Sequence, residues 1–175
     1  MKPFLLAASL ALPLTALPIA AGASGFAGID IVSSEIEPDD GGSADPTALQ
    51  FKFGTWINRN ETLGGEMRLG LGIDEDDLGR GTDVEIDRYY GAYFRGQFPN
   101  TLPVRPYGLI GLTRMETTEN FPGGGSTGEN YSGLSIGLGA DVSLTVVFVS
   151  VEYMRAVDSG GDEVTNLSLG LNGRF

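Results

Sequence analysis

Apolar and polar residues alternate with a period of two through eight separate stretches of this chain, and no 3.6-residue apolar period competes with them. The stretches cover about 25–37, 47–57, 63–73, 83–98, 104–118, 130–142, 146–156 and 164–175. Several exceed the roughly 5–6 residues of an ordinary globular strand and match the roughly 9–11 residues that a tilted, bilayer-crossing strand requires. In the second stretch Leu49, Phe51, Phe53 and Ile57 oppose Gln50, Lys52, Gly54 and Trp56. In the fourth, Val84, Ile86, Tyr90, Ala92, Phe94 and Phe98 oppose Glu85, Asp87, Tyr89, Gly91, Tyr93, Arg95 and Gln97. The eighth sets Leu167, Leu169, Leu171 and Phe175 against Asn166, Ser168, Gly170, Asn172 and Arg174. One face is suited to lipid throughout, and the other mixes charge with glycine. Only the fifth stretch leaves its register open, because Tyr107, Leu109 and Met115 lie opposite Ile110 and Leu112.

The connections carry independent information. Long polar links at 38–45, 74–82, 119–129 and 157–163 alternate with short ones at 58–62, 99–103 and 143–145. Long extracellular loops and short periplasmic turns produce this asymmetry, and an even strand count then places both chain ends in the periplasm. The expected fold is all-β: an eight-stranded antiparallel up-and-down transmembrane β-barrel. An open edge in lipid would leave backbone groups unpaired, so the last stretch is expected to pair with the one that begins near Gly25.

Residues 1–23 read as a separate object. Lys2 supplies a positive start, Phe4 to Ile19 an apolar stretch, and Ala21-Gly22-Ala23 a small-residue cleavage site, as in a secretory signal peptide. The barrel domain is then expected over 24–175. The chain has no cysteine, which excludes disulfides and a lipidated cysteine. It also has no histidine, which removes the commonest general base and zinc ligand. A formal charge of −12 makes nucleic acid an unsuitable partner. Glycine, at 27 of 175 residues and without a collagen-like period, points on strands to close backbone approach and a crowded interior.

An alternating eight-stranded pattern behind a signal peptide, ending on an aromatic residue, resembles the OmpA/OmpX-type family of small bacterial outer-membrane β-barrels. Arg105-Pro106-Tyr107-Gly108 followed by Gly111, then Gly137-Leu138-Gly139-Ala140-Asp141, and Val151-Glu152-Tyr153 are similar to phrases of that family's fifth, sixth and seventh strands. The resemblance implies a barrel in the outer membrane of a Gram-negative bacterium, acting in envelope stability, surface interaction or minor permeability. It implies contact with outer-membrane lipid and lipopolysaccharide, and a final strand, with Leu167, Leu169, Leu171 and Phe175, that the barrel-assembly machinery reads. A peptidoglycan-binding domain of the kind some members carry is not expected, nor is a cofactor, and a monomer is.

The inward register collects Asp30, Lys52, Glu66, Arg68, Glu85, Asp87, Arg95, Asp141, Glu152 and Arg174. Eight strands enclose a space just wide enough for side chains, so these groups are expected to pair as a static plug. The alternative is a gate, in which Lys52, Arg68 and Arg95 exchange partners between Glu66 and Glu152 to open a path for ions. Asp74, Asp76 and Asp77, with other acidic loop residues, form a candidate divalent-ion rim of hard oxygen ligands, weighed against simple solvation of surface loops. Some of the tyrosines at 89, 90, 93, 107, 131 and 153 are expected to form aromatic girdles rather than a stacking surface for sugars or hydrophobic ligands, with Trp56, inward by register near the periplasmic end, the exception. Catalysis fares badly, since nucleophile, base and orienting group cannot all be found. The leading reading is a non-enzymatic structural or surface-interaction protein. The competitors are a narrow pore or transporter for ions or small hydrophobic compounds, and a soluble periplasmic lipocalin-type barrel with apolar residues inside.

Overall fold

The computed structural model describes residues 24–37, 43–77, 82–99, 102–121, 123–159 and 162–175. The signal-peptide reading of residues 1–23 lies outside the described residues. Eight long strands form the wall: β1 (Gly25–Glu37), β2 (Thr47–Trp56), β3 (Leu63–Asp74), β4 (Asp83–Gln97), β5 (Val104–Asn120), β6 (Ser126–Ser143), β7 (Val147–Ser159) and β8 (Asp162–Arg174). A two-residue strand, Asp76–Asp77, extends the wall beside the start of β4. Consecutive strands pair antiparallel, and β8 closes on β1 in register from Phe26↔Arg174 to Glu37↔Glu163. Beyond that ladder, Gly25 and Phe175 exchange backbone hydrogen bonds of 2.9 and 3.0 Å. The expected closure is the observed one.

Side chains sort as the alternation predicts over most of the wall. Leu138 and Phe94 are 72% and 69% exposed on the outside, while Lys52 and Asp30 are buried within. This is the inverse of a lipocalin-type barrel, and it fits a lipid solvent. β5 acquires a definite register: Tyr107, Leu109, Thr113 and Met115 face inward, and Ile110 and Leu112 face out.

The sequence reading fails at the top of β4. The ladder to β5 shifts between Ile86 and Arg88, leaving Asp87 as an extra residue. A single inserted residue reverses the parity of every side chain beyond it. Val84 and Ile86 therefore point into the barrel and are buried, whereas Asp87 is exposed and Glu85 half-buried on the other face. β5 and β6 also rise further than expected, pairing out to Asn120↔Ser126.

Large lumen side chains lie over glycines of neighbouring strands. A Cβ at Gly54 would overlap the Phe26 ring, one at Gly70 the Tyr89 ring, and one at Gly139 the Tyr107 ring. The abundant glycine thus makes room for inward aromatics and long polar chains.

Candidate functional site

Seven charged side chains are buried at mid-barrel: Asp30, Lys52, Glu66, Arg68, Arg95, Asp141 and Glu152. They arrive from β1, β2, β3, β4, β6 and β7, each at an inward position of its strand. Arg68 is the hub. Its Nη1 and Nη2 donate to the two oxygens of Glu152 at 2.5 and 2.8 Å, and its Nε donates to Glu66 Oε1 at 2.5 Å. Such a forked guanidinium–carboxylate pair is the strongest geometry available to side-chain charges. Glu66 passes the network on, because its Oε2 accepts from Arg95 Nη1 at 3.3 Å, and Arg95 Nη2 donates to Asp141 Oδ2 at 2.5 Å. Lys52 Nζ sits 2.9 Å from Asp30 Oδ2 and 3.4 Å from Ser150 Oγ.

Neutral groups complete the cluster. Tyr107 donates its hydroxyl to Glu152 Oε2 at 2.8 Å, Gln50 donates to Asp30, and Tyr89 donates to Gln50 Oε1 at 2.8 Å. The Arg95 guanidinium stacks 3.5 Å from the Tyr107 ring centroid, and Arg68 lies 4.8 Å from that of Tyr93. A cation over an aromatic face gains further in a desolvated setting. Tyr89, Tyr93, Tyr107 and Tyr131 are therefore lumen residues, and of the six tyrosines Tyr90 and Tyr153 alone face outward as girdle residues.

Three of the sequence-predicted lumen charges stand apart. Glu85 and Asp87 are excluded by the bulge, and Asp87 accepts from Thr118 Oγ1 at 3.0 Å outside the lumen. Arg174 is half-buried at the periplasmic mouth, where it donates to Ser143 Oγ at 3.0 Å and lies over the Phe148 ring.

Sequence reasoning missed what encloses the network. Toward the periplasm, Phe26, Trp56 and Phe148 pack together, with Phe26 meeting the other two rings at centroid distances of 5.6 and 5.7 Å. On the extracellular side Val32, Ile36, Val84, Ile86, Met115, Met154, Ala156 and Val164 belong to a continuous buried apolar cluster. The charge layer is thus flanked by an aromatic cluster toward the periplasm and, toward the outside, by apolar side chains among which the buried Ser34, Thr113, Thr117, Ser135 and Asn166 are interleaved. Its signal in the sequence was the run of apolar residues at inward positions near the extracellular strand ends, such as Val32, Ile36 and Val164.

At the rim, Asp74 and Asp77 are exposed, and Asp76 accepts the backbone N–H of Asp45 at 2.8 Å. Among the described residues no group of three or more carboxylates converges as a metal site.

A closed eight-stranded barrel with an apolar exterior and a paired polar interior defines a small outer-membrane β-barrel protein. A family model for the outer membrane protein beta-barrel domain matches residues 4–175, and the chain belongs to that family. The fold is shared with Neisserial surface protein A, at 21% identity and a TM-score of 0.70 over 88% of this chain and 99% of that one. Ail, the attachment invasion locus protein of Yersinia pestis, is similar at 19% identity and a TM-score of 0.65, over 88% and 99% of the two chains. The N-terminal β-barrel domain of Pseudomonas aeruginosa OprF follows at 15% identity and a TM-score of 0.54, over 83% and 96%. No curated protein sequence matched the chain. The family and fold place the protein in the outer membrane of a Gram-negative bacterium.

Proposed function

We propose that this protein is a non-conducting, non-enzymatic barrel that reinforces the outer membrane and presents an acidic surface to a partner outside the cell. The observation that carries the reading is the filled lumen: the Arg68–Glu152–Glu66–Arg95–Asp141 chain lies between the Phe26–Trp56–Phe148 cluster and the extracellular apolar cluster. Beyond the charges at the two mouths, Arg174 among them, an ion meets closely packed and largely apolar side chains before the charge layer, and a gate by partner exchange would still leave both layers in its path. The four lumen carboxylates are each engaged by a cation, which leaves no free general base, and the chain has no histidine to supply another.

Planar-bilayer recording tests this directly. Neither the wild type nor the charge-swapped Arg68→Glu/Glu152→Arg protein is expected to show single-channel steps. Reproducible steps in the wild type would replace the plug with the narrow-pore reading.

The extracellular rim carries exposed Glu35, Glu37, Asp45, Asp74, Glu75, Asp77 and Glu129. One Ail structure is of its complex with the heparin analogue sucrose octasulfate, a polyanion. A rim of this sign repels such a ligand, so the partner proposed for this chain is cationic, with divalent ions held as a diffuse shell.

The final strand is proposed as the segment read by the barrel-assembly machinery, since Leu167, Leu169, Leu171 and Phe175 form one exposed outward row. Phe175→Asp leaves the backbone pairing with Gly25 available, and a charge near the membrane boundary costs only about 0–1 kcal/mol. The variant is expected to refold in detergent like the wild type yet to accumulate poorly in the outer membrane of cells. Normal accumulation would remove the recognition role.

A further inference from the structure

The outer wall changes character within one row of residues on β4, β5 and β6. The cross-strand rows Ala92–Leu112–Leu134 and Phe94–Ile110–Ile136 are uncharged and face lipid. Directly above them come Tyr90–Arg114–Ser132 and then Arg88–Glu116–Asn130. The Arg88 and Arg114 side chains remain 59% and 53% exposed although they stand on the lipid-facing side of the wall. One carboxylate holds both: Glu116 Oε2 lies 2.7 Å from Arg88 Nη2 and also accepts from its Nε, and Glu116 Oε1 lies 3.9 Å from Arg114 Nε. The neighbouring acid, Asp87, is turned to Thr118. Two guanidiniums thus share one counter-charge at the line where acyl chains end and headgroups begin.

We propose that Arg88 and Arg114, positioned by Glu116, form an external binding site for a phosphate group of an outer-leaflet glycolipid, whose acyl chains lie along Ala92, Leu112, Leu134 and Ile110 below. A guanidinium presents paired N–H donors that match phosphate oxygens, and Arg is favoured over Lys for such planar recognition. Glu116 fixes the Arg88 fork, and Glu116 and Asp87 together match the two guanidiniums in number, so what the site offers an anion is the exposed N–H donors of Arg88 and Arg114 rather than a net charge. Tyr90, 41% exposed and cross-strand from Arg114, adds an amphipathic ring at headgroup level. The site is independent of the lumen, so it stands whether or not the barrel conducts.

The test uses the full barrel in detergent micelles, titrated with bisphosphorylated lipid A, with the same lipid A after removal of its phosphates, and with inorganic phosphate alone. The wild type is expected to bind the bisphosphorylated lipid, and Arg88→Ala/Arg114→Ala to bind it about tenfold or more weakly, the loss expected for removed charged hydrogen bonds. Glu116→Gln, which keeps an acceptor oxygen for the Arg88 fork but removes the negative charge, is expected to bind it at least as tightly as the wild type. Arg59→Ala, which removes one base from an exposed turn at the opposite end of the barrel, is expected to change nothing. Equal affinity of the double alanine variant and the wild type would overturn the site. So would equal binding of the dephosphorylated lipid, while equal binding of inorganic phosphate would overturn the glycolipid as its occupant.

Discussion

Replacing Arg68 with alanine is expected to destabilise the folded barrel by about 3–5 kcal/mol, because removing one member of a buried pair leaves the other charge without compensation. Glu152 would lose both guanidinium bonds and keep only the Tyr107 hydroxyl, and Glu66 would retain Arg95 at 3.3 Å. Water cannot easily replace the lost partner, since the side chains above and below are closely packed and largely apolar. Urea titration of the protein refolded into lipid vesicles measures the loss as a lowered midpoint. The double substitution Arg68→Met/Glu152→Leu separates the pair's net contribution from the cost of stranding a charge. It removes both ions and is expected to recover most of the stability, as apolar replacements of buried ion pairs often do. An Arg68→Ala midpoint equal to the wild type would mean that the lumen solvates Glu152 freely, and the plug would then lose its physical basis.

The sequence exposed the wall far more fully than the interior. A lipid face demands the same alternation from every strand, so Leu69, Ile136 and Leu169 report their orientation one by one, and loop asymmetry gives the polarity of the barrel. Periodicity has no term for a bulge. Val84 and Ile86 fit the outward pattern as well as they fit a buried one, and only the pairing of Ile86 with Thr117 and Arg88 with Glu116 reveals the extra residue between them. The members of the charge layer were legible because each was an ionisable residue at an inward register position. Which base meets which acid was not, since Arg68 and Glu152 are 84 residues apart and meet across the lumen rather than along one ladder. Tyr107 escaped for a related reason: an aromatic residue fits both a girdle and a lumen, and the neighbouring Gly139, over which its ring lies, marks the inward choice only after strand register is known.

Leu169→Pro should abolish the compact barrel, although the side chain it replaces is 57% exposed on the lipid face. Leu169 pairs with Ile31 across the closing seam and with Val151 on the other side. Proline removes a ladder N–H, and sheets tolerate it at edges, where that donor would face solvent. A barrel closed in lipid has no such edge. The acceptor left opposite would face hydrocarbon at a cost on the order of several kcal/mol, and the fixed proline φ would disturb the pairing of its neighbours as well. Leu169→Ala removes the same outward side chain but keeps the N–H, so it is expected to retain closure. Detergent gels run with and without boiling distinguish the two, because a closed barrel migrates as a compact species until heated. The alanine variant should shift on heating and the proline variant should not. If Leu169→Pro still migrated as the compact form, the twelve paired positions between β1 and β8 would be less than a cooperative unit. The backbone bonds between Gly25 and Phe175 at the periplasmic end would then suffice to hold the cylinder shut.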